Sequence, residues 1–439
     1  MSSFLDTKNR PVRSLRLEPF LEQLNTTPDL RSADRSAWKD AVKLFFETGI
    51  PGKPDEVWRR FPAESLDPSS CVPAGAEYEL LDRNLEPVSG ISGLETVTYG
   101  SAFSPEEKHA YFRDTLAAEI GKSKKRNPGA PNDLRENKFT YLNRAFSREN
   151  YYLRLEKGAE LPGPLLLRAH PESGAEKPLF LPRIMIHLEP GAQAELAVVF
   201  LGGSGGMTAG SLRILLEPGA SLKILTAAGL DSPCYLEQQA VLRDEAVMTG
   251  DFMQAGSAGS NGMIDQLTVL QGRGSSYSGS GIVLAGEETA QGQKIRVEQN
   301  GENTRSELLV KSLVHEGSRS IFNGILRMPK GAKGASGNER NLNLLLGKNS
   351  RAYALPQLEI VENDVECSHG SSVSSVDPEE LYFLQTRGLS PDAGRRLLIQ
   401  SFIRQITDNM AVFSGTPRIR KFITETIGVP ELDYEYSED

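Results

Sequence analysis

The stretch Val365-Glu366-Cys367-Ser368-His369-Gly370 brings one of three cysteines and one of five histidines in a 439-residue chain to within two positions of each other. On a strand, residues two apart share a face at about 6.6 Å, so Val365, Cys367 and His369 point one way and Glu366 and Ser368 the other. Thiolate and imidazole are the soft and intermediate donors that suit iron and iron-sulfur chemistry, and a shared face could present both to one metal. Two donors do not complete a tetrahedral site, so the remainder would come from elsewhere, another chain included. The same residues also read as packing, because Val365 marks an apolar face and a free cysteine behaves as a small hydrophobe. Spacing alone leaves both readings open.

Other candidates are weaker. Cys71, Cys234 and Cys367 are widely separated, odd in number and match no zinc-ligand spacing, which fits a reduced, cytoplasmic setting. His109, His170, His187 and His315 each lack a second metal-type ligand close in sequence and are expected to be structural. The glycine run Gly202-Gly203-Ser204-Gly205-Gly206 lacks the Gly-Lys-Ser/Thr ending of a phosphate loop, and Thr208 occupies the last glycine position of a GxGxxG pattern. It is expected to be a loop between repeats, and the chain is expected to bind and hydrolyse no nucleotide. Gly203-Ser204-Gly205 also lacks the strand-to-helix context of a hydrolase nucleophile elbow.

The elements that must position Cys367 and His369 fall into three regions. Leu17, Phe20 and Leu21, then Trp38, Val42, Phe45 and Phe46, recur at helical spacing, and a further helix is expected from about Pro105 to Ile120. Residues 1–138 therefore read as an α-rich domain with irregular segments. From 139 to 376 short alternating strands separated by Gly, Asn, Ser and Asp turns predominate. Within them Leu188-Glu189-Pro190-Gly191-Ala192 is echoed 28 residues later by Leu216-Glu217-Pro218-Gly219-Ala220. Weaker echoes are Leu284-Ala285-Gly286-Glu287-Glu288 and the stretch from Leu346 to Ala352. A repeat of that length predicts a stacked solenoid, a mainly β parallel β-helix, with a two-sheet sandwich as its rival. Over 377–439 the period returns to helical: Asp377-Pro378-Glu379-Glu380 is a capping box, Ser390-Pro391 starts a second helix, and an acidic tail follows.

The bulk properties restrict the function classes. A net charge of −9 and a pI near 5.4 argue against a nucleic-acid surface, and the run Lys122-Ser123-Lys124-Lys125-Arg126 reads as a solvated loop. No apolar stretch approaches the roughly 18 residues of a membrane span, and the first residues lack the apolar core of a signal peptide. A soluble, cytoplasmic protein that binds neither nucleic acid nor membrane is expected.

Several stretches resemble the SufB/SufD family of iron-sulfur cluster assembly proteins. They are Pro356-Gln357-Leu358-Glu359-Ile360, Asp364-Val365-Glu366-Cys367-Ser368-His369-Gly370 and Leu381-Tyr382-Phe383-Leu384-Gln385-Thr386-Arg387-Gly388, supported by Leu142 to Phe146, Gly158 to Pro162 and Asp55 to Arg59. Leu344-Leu345-Leu346 with Asn349 to Ala352 also fits. SufB-type chains carry their assembly cysteine where this one has Leu384 and lack the Cys-x-His-Gly, so the resemblance is to the SufD side. It implies a right-handed parallel β-helix core flanked by helical domains. It implies a scaffold without catalysis of its own that pairs with SufB through the β-helix edge and binds the ATPase SufC through the helices from Asp377 to about Asn409. ATP hydrolysis would belong to SufC, and the assembly would support iron acquisition. His369, with Cys367 beside it, would hold a transient iron-sulfur cluster shared with SufB; a flavin is left open. The alternatives are a SufB-like or homodimeric subunit, or a polysaccharide-acting β-helix enzyme. The last fits poorly with 7% aromatic residues and two tryptophans, both near the start of the chain.

Overall fold

In a computed structural model, the chain is described over residues 40–99 (except 46, 49, 50, 52–55 and 89), 115, 116, 118 and 137–427 (except 230, 258 and 411–415). The helical readings at 15–38, most of that at 105–120 with His109, the basic run 122–126 and the acidic tail lie outside the described residues. The body is a parallel β-solenoid of about eight turns, the fold read from the turn-and-strand repeat.

Along most of the body consecutive strands alternate between two sheets. One runs through β3 (Leu94–Tyr99), β4 (Asn150–Leu155), β7 (Arg183–Leu188), β9 (Met207–Leu216), β11 (Cys234–Leu242), β13 (Gly262–Leu270), β15 (Ala290–Gln299), β17 (Arg319–Met328) and β19 (Arg351–Ala354), with β20 (Gln357–Ile360) beside β17. The other runs through β2 (Ala76–Leu81), β5 (Leu165–Pro171), β8 (Gln193–Leu201), β10 (Ser221–Gly229), β12 (Val247–Gly256), β14 (Ser276–Ala285), β16 (Arg305–Val314), β18 (Ala335–Leu345) and β21 (Val365–Ser375). From β4 and β5 onward the ladders are parallel, each turn laying two strands on the turn before.

The 28-residue echo is this stacking seen in sequence: Leu188 pairs with Leu216 in register. At the corner above them Gly191 N donates to Pro218 O at 3.0 Å, and Gly191 and Gly219 adopt φ of 72° and 70°. A side chain with a Cβ is disfavoured in that left-handed conformation, which explains why the motif repeats its glycine. The weaker echoes at 284 and 346 belong to the opposite corner, after β14 and β18.

Two local differences from the sequence reading stand out. Lys138–Phe146, placed at the start of the β region, is a helix (α2, following α1 at Glu56–Arg60), with the Asn137 side chain accepting from Phe139 N at 2.9 Å and Thr140 N at 3.2 Å. Its aromatic and β-branched residues suit a strand by propensity. Burial of Phe139, Leu142, Ala145 and Phe146 under the sheet overrides that preference. Second, β1 (Val72–Ala74), β2 and β3 lie before residue 139 yet join both sheets, β1 through β6 (Pro178–Phe180) and β2 and β3 as antiparallel partners of β5 and β4. A boundary at 139 thus falls inside a helix, with strands from before it built into the solenoid.

The C-terminal helices are α3 (Pro378–Thr386), α4 (Pro391–Thr407) and α5 (Pro417–Ile427). Their starts follow the sequence signals: Asp377 accepts from Glu379 N at 2.8 Å and Ser390 from Ala393 N at 3.2 Å. Ile403 and Ile406 of α4, Met410, and Ile419 and Ile423 of α5 share one apolar cluster with outward-facing residues of β8, β10, β12, β14, β16 and β18. Lys311 adds a polar anchor, its Nζ donating to Phe402 O at 2.6 Å. Ile403 is fully buried, so Ile403→Ala is expected to cost about 2–5 kcal/mol, read as a lower denaturant midpoint. An unchanged midpoint would mean the helices do not hold to the sheet through this face.

The interior changes character along the axis. The early turns are filled by aliphatic side chains such as Leu153, Leu167, Ile186, Leu196 and Ile214. Later turns bury Gln254, Gln293, Ser312, Ser320, Asn341 and Asn343. These are linked by hydrogen bonds, Gln293 to Gln254 at 3.1 Å, Ser320 to Ser312 at 3.1 Å and Asn343 to Asn341 at 2.6 Å among them.

Candidate functional site

Cys367 and His369 lie on β21, the last strand of its sheet, paired to β18 on one side and to no described strand on the other. Alternation places Val365, Cys367, His369 and Ser371 toward the solenoid interior. Val365 and Cys367 are half-buried against the core cluster, whereas His369 is exposed. The difference follows from position: in an inner turn the next rung would cover an inward side chain, and β21 has no described rung beyond it. The imidazole is therefore accessible at the open end, with the thiol two residues away and partly sheltered. Ser368 on the outer face donates to Asn338 Oδ1 at 2.9 Å and fastens the strand to β18.

Directly inward of His369, in register with it, is Glu339 of β18. Sequence reasoning missed this residue, because Asn338, Glu339, Arg340 and Asn341 are polar on both faces and no apolar alternation marks the inner side. Glu339 is 3% exposed, and its Oε1 has no hydrogen-bond partner. Burial pushes its carboxyl up to about 8, so it is protonated near neutrality. The carboxyl lies against the backbone of Gly324 in the opposite sheet, where an added Cβ would meet Oε1 at 1.7 Å. A polar group buried without a partner costs about 1–3 kcal/mol, which a structural role here does not return.

A groove of about 640 Å³ crosses the first residues of β12, β14, β16, β18 and β21, lined among others by Thr249, Ser278, Glu307, Asn338, Ser368 and Cys367. The first five are consecutive partners in one lane of the ladder.

Among the described residues, the remaining histidines and cysteines are engaged elsewhere. His187 is buried, its Nδ1 3.1 Å from Tyr152 Oη and its Nε2 3.6 Å from Glu217. His170 is in β5, next to its last residue, and lies beside Glu77 and Glu79. His315 sits at a corner, and burial lowers its pKa. Cys234 faces the interior, and burial pushes its thiol up to about 12; Cys71 is also buried and raised. Neither supplies thiolate readily. The run 202–206 is the loop joining β8 to β9, as expected. Among the described residues no three His, Cys, Asp or Glu side chains converge on one point, and no helix is long and apolar enough to cross a membrane.

A second surface lies at the C-terminal end. Helix α3 buries none of its residues, and Tyr382, Phe383 and Leu397 are 68%, 56% and 44% exposed.

Fold and site together define an open-ended parallel β-solenoid that carries an accessible imidazole and a neighbouring thiol on its terminal strand. Residues 172–402 match the model of the family described as SUF system FeS cluster assembly, SufBD core domain, and the chain belongs to that family. It is similar to the iron-sulfur cluster assembly protein SufD of Escherichia coli, at 23% identity over 84% of this chain and 87% of that protein. A SufBD family protein of Staphylococcus epidermidis is 23% identical over 81% of this chain and 75% of its own length. One from Synechocystis is 30% identical over 36% of this chain and 32% of its own. The chain is thus a SufD-like member of an iron-sulfur cluster assembly scaffold family.

Proposed function

We propose that the protein is the SufD-type subunit of an iron-sulfur cluster assembly complex, a scaffold that pairs with SufB through β21 and with the ATPase SufC through α3 and α4. The observation that carries the reading is the exposed imidazole of His369 on a strand edge that no described strand occupies. An unpaired edge offers a row of backbone donors and acceptors to a partner strand. A partner strand bound there would bring its own ligands beside His369 and Cys367. The nascent cluster, as cargo, would take an imidazole and, when deprotonated, a thiolate from this chain. ATP hydrolysis is assigned to SufC, so the reading gives this chain positioning and binding roles alone.

The test is anaerobic co-expression with SufB and SufC, followed by iron and sulfide analysis of wild type and His369→Ala. The variant complex is expected to co-purify in full and to lose about tenfold or more of its iron and sulfide, since removing a ligand should cost no less than removing a ligand's support. An intact complex with unchanged metal content would leave VECSHG as packing. A chain that self-associates and ignores SufB would overturn the pairing.

A further inference from the structure

We propose that Glu339 is a third donor of this chain to iron arriving at His369 and Cys367, giving the open end a mixed sulfur, nitrogen and oxygen set. The inference rests on the reading of Cys367 and His369 as ligands and goes beyond it by adding a residue from the next strand inward. Three observations carry it. Glu339 is in register with His369, so the two sit about 4.8 Å apart across the ladder, and Cys367 lies two residues along the same inner face. Its side chain is buried with Oε1 unpartnered, in the last interior layer before the open end. In the neighbouring polar layers Asn341 donates to Val310 O at 3.4 Å and Asn343 to Ser372 O at 3.1 Å, Asn343 Oδ1 being unpartnered as well, so each of these side chains keeps a hydrogen bond that the Glu339 carboxyl does not make.

A divalent cation at the mouth of the solenoid supplies the partner that Glu339 lacks. Imidazole and carboxylate are the donors that suit ferrous iron, and a thiolate extends the set toward iron-sulfur chemistry. In the resting arrangement the carboxyl lies against Gly324, and the three donors do not converge. Binding therefore requires Glu339 to rotate toward β21 about its side-chain torsions, which the glycine opposite, with no side chain to interlock, leaves it free to do. The structure thus assigns Glu339 a waiting position one rung inside the site.

Anaerobic titration of the full chain with Co(II) as the probe tests this. Wild type is expected to bind one Co(II), showing a thiolate-to-metal charge-transfer band and ligand-field bands. Glu339→Gln, isosteric and neutral, is expected to weaken binding about tenfold or more and to shift the ligand-field bands while the charge-transfer band remains. Cys367→Ser should lose the charge-transfer band. Equal affinity and equal spectra for wild type and Glu339→Gln overturn the proposal, as does a wild-type chain that takes up no Co(II). If His369→Ala loses binding and Glu339→Gln does not, Glu339 alone is removed from the site. If His369→Ala binds as wild type does, the underlying reading of the site fails.

Discussion

Glu339→Gln is expected to stabilise the last turns of the solenoid progressively as pH rises from about 5 to 8. The carboxyl is pushed from 4.5 up to about 8 by burial. Between those values the folded chain holds a proton that the unfolded chain has released. Stability from this group is therefore complete below about 4.5 and is lost as pH rises through about 8. At roughly 1.4 kcal/mol per unit the loss reaches on the order of 4 kcal/mol by pH 8. Glutamine cannot titrate, so wild type and variant should agree at pH 4.5 and diverge above it. His369 is the titratable side chain facing Glu339 from β21, while Arg340 and Glu307 lie on the outer face. Each rung of a solenoid contacts only its neighbours, so the effect should concentrate in β18 and β21. Amide hydrogen exchange of those strands, compared between the two proteins at matched pH, reads it. Equal protection at pH 8 would mean that the carboxyl reaches water in solution.

If SufC docks on α3 as proposed, replacing Tyr382 and Phe383 together by alanine is expected to weaken its binding by about 100-fold or more while leaving the fold intact. Two large aromatic side chains on a helix that buries nothing are costly to leave in water and serve no packing role within the chain. The Arg387 guanidinium sits 5.1 Å from the Phe383 ring centre, so an aromatic and an arginine stand together, the residue types that dominate binding energy at interfaces. Each truncation at such a centre removes about 2 kcal/mol or more. Calorimetric titration of the double variant with purified SufC measures the loss, and the unfolding midpoint should remain where it is. Undiminished affinity would remove α3 from the docking surface.

The β-solenoid was legible because its rungs repeat local chemistry. A corner that needs a left-handed glycine recurs as Leu-Glu-Pro-Gly-Ala, and the 28-residue offset is the stacking register itself. The C-terminal helices were legible for a similar reason, since Asp377-Pro378 and Ser390-Pro391 cap them through bonds within three residues. Helix α2 was not, because what makes it a helix is burial against a sheet assembled from residues far away in sequence. For the site, alternation placed Cys367 and His369 on one face correctly. It did not reveal that one is half-buried and the other exposed, which depends on β21 being the terminal rung. Glu339 stayed hidden because a strand polar on both faces does not declare its inside.

The helical pair packs on the outside of one sheet, α4 against β14 and α5 against β10 and β12, within an apolar cluster that extends from β8 to β18, and α3 packs on α4 with no buried residue of its own. Mechanically this is a splint. A tug on α3 is distributed over many rungs instead of peeling β21 away from β18, so the solenoid travels as a rigid lever. The joint that yields first is then the one at the outer edge of β21, where the chain meets whatever is seated there.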